Sequence, residues 1–240
     1  MLWAELAVVL ALAGAGATAE PAAAAAEAGE VPILTYHRVG SSPRFARQVA
    51  ALERHGYRAV TLERVWQSWR GAAELPRRPV VLTFDDGYLS QYRTAARSLR
   101  ARGWPGVLNL QVERLGAAGG LTRAQVRRML ADGWELDSHT LSHPDLTVVG
   151  PERLRRELVG SREAIQREFG VTANFFCFPY GRFDAAAKAA VRDAGYLAAT
   201  TTHRGLASPG DDPFELPRVS VSTRTSPAAL LRRLRAASRR

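Results

Sequence analysis

Short apolar runs alternate with segments of helical period from residue 31 to the end of the chain, and this alternation limits the fold more than any other feature. Runs fit for buried strands lie at 31–36, 57–62, 79–84, 107–112, 134–138, 175–178, 196–201 and 216–221. Between them, apolar residues recur at three- and four-residue spacing, as in Phe45, Val49 and Leu52, or Leu154, Leu158, Ile165 and Phe169. Glycines stop these helices at Gly56, Gly103, Gly133 and Gly170, Thr122 with Gln125 makes a capping box, and Pro151 opens a helix. Strand–helix alternation of this kind predicts parallel strands joined by crossover helices. Six or seven such units in about 200 residues point to a (β/α) barrel, closed or incomplete, in a single domain.

The first 30 residues fall outside this pattern. An apolar run at 6–13, the small-x-small triplet Ala17-Thr18-Ala19 and an alanine-rich stretch read as a secretory signal with a linker, which predicts an exported protein. The run is shorter than the ~20 residues of a membrane span. The n-region has no Lys or Arg and carries Glu5, so an uncleaved anchor or a misassigned start is the alternative. Residues 31–240 form the expected folded domain. The formal charge is +10, carried almost wholly by arginine, with Lys188 the only lysine. The arginines are scattered and not interleaved with aromatics, which argues against a nucleic-acid partner but leaves contact with an anionic cell envelope open. A single cysteine, Cys177, excludes an intrachain disulfide.

Active sites of parallel barrels form at the carboxyl ends of strands, and four polar clusters fall there. Asp85 and Asp86, closing the apolar run 79–84 before Gly87, are either a helix-capping turn or one flank of a cation site. His139 and His143 stand at i and i+4; on a helical turn both imidazoles would reach one ion, and two histidines with one carboxylate form a common catalytic zinc set. Pro179-Tyr180-Gly181 breaks a strand and is either a plain turn or a source of exposed backbone N–H groups able to hold an oxyanion. His37 follows the first strand and is either a hydrogen-bonded structural histidine or a group facing the same mouth. His55 and His203 are expected to be structural or solvated.

Taken together, the order and spacing resemble the polysaccharide deacetylase family, the NodB-homology carbohydrate esterases. Residues 83–87 match its Thr-Phe-Asp-Asp-Gly motif, 138–143 its Ser-His-Thr-x-x-His motif, and 179–181 the end of its third motif. The resemblance spans about 31–221. It implies a deformed (β/α)7 TIM-like barrel that hydrolyses N-acetyl groups of N-acetylglucosamine polymers. Asp86, His139 and His143 would hold one divalent metal, zinc foremost, although cobalt, manganese or iron would also suit the set. Asp85 would be the general base, the Tyr180 N–H would line the oxyanion hole, and Pro179 and Tyr180 would contact substrate. Three family features are missing: Cys177 stands where an arginine usually orients the base, and neither an Asp-x-x-Trp nor a late Leu-x-His motif is present. These gaps resemble the poly-β-1,6-N-acetylglucosamine deacetylase branch, in which the acid histidine lies on the first strand; His37 fits that place. A catalytically silent glycan-binding protein, or a metal hydrolase of another acyl amide or ester, is the alternative reading.

Overall fold

The computed structural model describes residues 29–40, 42–222 and 224–237; the expected signal and most of the linker lie outside them. Seven parallel strands follow the order β7-β6-β5-β4-β3-β1-β8: β1 (Ile33–Tyr36), β3 (Pro79–Asp86), β4 (Val107–Leu110), β5 (Glu135–Ser138), β6 (Phe175–Cys177), β7 (Ala198–Thr200) and β8 (Val219–Ser220). The long β3 has one edge on β1 from Val81 to Phe84. Its other edge is shared, first by the short β2 (Arg58–Val60) and then by β4 from Thr83 onward. The sheet curls but does not close: among the described residues no ladder joins β7 to β8, and an isolated bridge pairs Thr200 with Leu216, which precedes β8. The expected deformed (β/α)7 barrel is therefore present as a curled, open sheet.

Helices α1 (Ser42–Arg54), α2 (Leu62–Trp69), α3 (Arg97–Arg100), α4 (Arg123–Ala131), α5 (Pro151–Phe169), α6 (Ala185–Asp193) and α7 (Pro227–Ala237) cover it. The capping box at Thr122 and the left-handed Gly170 C-cap form as the sequence predicts. The pattern did not predict α2. It is capped by the Thr61 side chain and buries only Leu62 and Val65, too short a stripe to show a period. A π-helical segment, Gln91–Ala96, precedes α3; such segments often stand beside functional sites.

Alternation along the strands sorts the core. Phe84, Leu34, Leu82, Leu108 and Leu136 pack outward in the main cluster beneath the helices. Ile33, Val81, Val107, Phe175 and Ala198 form a separate apolar cluster on the concave side. Further along the same face, two residues beyond Val107, Phe175 and Ala198 and four beyond Val81, side chains turn polar: Asp85, Asn109 and Asp137 are side by side in register, and Cys177 pairs with Thr200. An apolar floor thus underlies a polar layer at the carboxyl ends of the strands.

Candidate metal centre and active site

The end of β3 brings Asp85 and Asp86 to the mouth. Asp86 has φ 78° and Gly87 φ 91°, so the chain reverses within two residues and the two carboxylates diverge. Asp86 Oδ1 lies 3.5 Å from His143 Nε2 and 3.7 Å from His139 Nε2, while the two imidazole nitrogens are 3.1 Å apart. A tetrahedral N/O set with bonds of about 2.0–2.1 Å has ligand–ligand edges of about 3.3–3.4 Å, so three corners of such a set are nearly in place. His139 Nδ1 lies 2.7 Å from the carbonyl oxygen of Cys177. A carbonyl only accepts, so Nδ1 carries the proton and Nε2 turns a lone pair toward Asp86 and His143. Burial, with the His139 charge next, lowers the His143 pKa and favours the neutral, ligating imidazole. The donor set fits a divalent cation.

The histidine spacing works differently from the helical turn expected for it. Residues 139–143 form a bent loop in which Thr140 (φ 67°) and His143 (φ 66°) are left-handed. Together with Asp86 and Tyr180 (φ 59°) they are the non-glycine residues of positive φ among those described, and all four stand at this mouth. Each such conformation costs about 1–3 kcal/mol and persists only where its surroundings enforce it. Here the enforcing group is Glu157 of α5, which is buried. Its Oε2 accepts from the Leu141 N–H (3.0 Å) and the Ser142 N–H (2.9 Å), and its Oε1 accepts from Ser142 Oγ (2.5 Å). Thr140 Oγ1 in turn accepts from the His143 N–H at 2.8 Å.

Asp85 is 1% exposed and belongs to a separate network. Arg218 grips it through both oxygens, Nη1 to Oδ1 and Nη2 to Oδ2, each at 3.0 Å. Asn109 donates to Oδ1 at 2.7 Å. Burial pushes the Asp85 pKa up, but the Arg218 guanidinium and then the His139 and His37 charges outweigh it and hold the carboxyl well below the usual range. Arg218 is the residue that sequence reasoning missed. It supplies the orienting cation whose usual place Cys177 occupies, and it arrives from the other end of the chain, at the head of β8. Cys177 is fully buried, with Sγ 3.7 Å from Asp85 Oδ2, and burial raises its thiol pKa. Asp85, His139 and Cys177 form a second cluster of metal-ligating types. Arg218 already neutralises Asp85 and the thiol is held protonated, so Asp86, His139 and His143 are the better cation site.

His37 Nε2 lies 3.7 Å from Asp85 Oδ2, and its side chain is 56% exposed at the mouth. Gln91, buried beneath, donates to the carbonyls of both Asp85 (2.5 Å) and His37 (3.0 Å) and locks the two loops together. Tyr180 is 60% exposed, its ring 4.6 Å from that of His143. It sits in the short turn Pro179–Gly181, where Pro179 has no N–H and the Gly181 N–H donates to the Phe178 carbonyl at 2.9 Å, so the Tyr180 N–H is the donor the turn can offer to the mouth. Gly181 permits that turn: at φ 67°, a Cβ would fall 2.1 Å from Thr202 Oγ1. His55 bonds its own helix at Ala51 O, and the His203 ring packs on Phe183, so both remain outside the centre.

A curled parallel sheet thus carries, at the carboxyl ends of its strands, a carboxylate–imidazole cluster able to take a divalent cation beside a second, arginine-held carboxylate, the make-up of a barrel enzyme. The chain belongs to the polysaccharide deacetylase family, hydrolases of N-acetyl groups on carbohydrates, whose family model matches residues 72–199, over half of the chain. It is 27% identical over 207 residues to YxkH of Bacillus subtilis (strain 168), a protein named for the same family, covering 83% of this chain and 74% of that one. It is 28% identical over 222 residues to the poly-β-1,6-N-acetyl-D-glucosamine N-deacetylase of Escherichia coli (strain K12), covering 75% of this chain but only 33% of that longer protein. The structure of IcaB from Ammonifex degensii superposes with a TM-score of 0.78 at 26% identity, covering 86% of this chain and 97% of that one.

Proposed function

We propose that the protein is a metal-dependent deacetylase that hydrolyses N-acetyl groups on an N-acetylglucosamine-containing polymer, releasing acetate and leaving a free amine. The observation that carries this reading is the convergence of Asp86 Oδ1, His139 Nε2 and His143 Nε2, 3.1–3.7 Å apart, beside the separately held Asp85. Asp86, His139 and His143 would hold one divalent ion, zinc foremost, which would supply Lewis-acid polarisation of the acetyl carbonyl and acidification of a water. Asp85, kept ionised and aimed by Arg218, takes the proton of the attacking water. The Tyr180 N–H faces the developing oxyanion, and Pro179 and the Tyr180 ring contact the sugar. His37, exposed at the mouth, delivers a proton to the departing amine nitrogen. The name of the E. coli relative favours a polymer containing N-acetylglucosamine, and residues 6–19 favour an exported protein that meets it outside the cytoplasm.

The test is acetate release from acetylated glycans, with metal content measured alongside. Asp86→Ala and His143→Ala are expected to lose bound metal and acetate release together. Undiminished turnover in both variants and after chelation would refute the metal-dependent reading. A protein that retains metal and binds glycan but releases no acetate would be the silent binding protein instead.

A further inference from the structure

Three loops at the mouth carry a feature that the deacetylation chemistry does not use. Arg38, directly after His37 on the β1 loop, places its guanidinium carbon 4.1 Å from the centre of the Tyr88 ring. Tyr88 lies two residues beyond Asp86 on the β3 loop. Arg114, on the β4 loop, places its own guanidinium carbon 4.4 Å from the centre of the same ring. Two cations thus share one aromatic ring and are held within about a Debye length (about 8 Å) of each other.

A stacked guanidinium spends its faces on the ring and keeps its in-plane N–H donors. Arg38 makes neither a hydrogen bond nor an ion pair among the described residues, and Arg114 spends only Nε, on Gln111 Oε1 at 3.2 Å. Some surface arginines are spent elsewhere: Arg182 pairs with Asp145, Arg102 with Glu53, and Arg78, which also stacks on a tyrosine, donates to the His55 carbonyl. Arg70 over Trp66 and Arg192 over Phe214 form no ion pair among the described residues, but each stacks on its ring alone. Glu113 is the single acid on these three loops and forms no ion pair among the described residues, so a positive balance remains. Stacking has already fixed both side chains, so little further entropy is lost when a planar anion meets their N–H edges.

We propose that Arg38, Tyr88 and Arg114 form an anion-recognising subsite next to the catalytic centre, and that the acetylated glycan processed there carries carboxylate or phosphate groups on neighbouring sugars. The substrate class rests on the deacetylase reading above; the anion site does not.

Matched β-1,4 glycans separate the two. One probe is a chitin oligomer; the other alternates N-acetylglucosamine with N-acetylmuramic acid, whose lactyl group adds a carboxylate to the same backbone. Acetate release from each is measured for the wild type and for Arg38→Gln, Arg114→Gln and the double variant, at low and high salt. The ratio of kcat/KM on the acidic glycan to that on the neutral one is expected to fall about tenfold in the double variant, through KM. It should also fall with added salt in the wild type and recover in part with Arg38→Lys. An unchanged ratio in all variants overturns the proposal. Binding of the acidic glycan to chelator-treated protein is measured in parallel. If the wild type releases no acetate from either glycan, the deacetylase reading fails, and this affinity decides the anion site: weaker binding by the double variant supports it, equal binding overturns it.

Discussion

Replacing Arg218 with methionine would test how Asp85, the proposed general base, is held. Both partners are buried, 2% and 1% exposed, so solvent screening does little to soften the change. Arg218→Met fills similar space but leaves Asp85 with two neutral donors, the Asn109 amide and the weak Cys177 thiol, and the more distant His37. Breaking a buried pair by removing one partner costs about 3–5 kcal/mol. In a chain of this size that lowers Tm by about 10 °C. The sign of the pH dependence follows from the same pair. In the native protein the Asp85 pKa is depressed, so its contribution to stability is present above the unfolded-state pKa and is lost as pH falls through the folded value. Without Arg218, burial dominates and the pKa rises, so stability should instead fall as pH rises toward neutrality. The acid limb of the kcat/KM profile should move to higher pH. Thermal melts from pH 4 to 8 and a pH profile of acetate release measure both effects. Asp85→Asn combined with Arg218→Met should recover more stability than additivity allows, because neither uncompensated charge remains. Arg218→Met melting within a degree or two of wild type, with an unmoved acid limb, would show that the pair neither stabilises the fold nor tunes the base.

Other perturbations address the remaining parts of the centre. His37→Ala should retain metal, measured by elemental analysis, while turnover falls by about 10²-fold or more; a normal rate would make His37 a bystander. Glu157→Ala leaves the Leu141 and Ser142 N–H groups without their acceptor and should weaken metal affinity about 10–100-fold in a chelator competition, with Glu157→Gln intermediate. Glu135, buried beside Asp137 at the floor of the barrel, has its pKa raised by burial, so its native form holds a proton that the unfolded chain releases. That contribution is complete below the unfolded-state pKa and declines as pH rises through the folded value; Glu135→Gln should flatten the alkaline side of a urea-denaturation series.

The parts of this molecule that were legible in the sequence are those encoded locally. The apolar run before Asp85, the capping box at Thr122 and the glycine stops each depend on residues a few positions apart, and they form as expected. His139 and His143 were recognisable as a pair, but not the loop between them, because its shape is imposed by Glu157 from another element. Helix α2 was missed because two buried residues do not define a period. Arg218 was hidden most deeply: its partner lies 133 positions away, and nothing local marks it. Two weak signals existed, an arginine set among apolar residues in 216–221 and a cysteine where the family pattern expects a cation. Only the curl of the sheet, which brings the head of β8 across to β3, connects them.

That connection also sets an order of events for a chain made from its amino terminus. Strands β1 to β7 and every proposed metal ligand leave the ribosome before residue 218 does, yet until then Asp85 lacks its strongest counter-charge and its ionised form is penalised by its own enclosure. A nascent barrel could be nearly complete in backbone while its base is still protonated and misaimed, so competence would be the last property the polypeptide acquires.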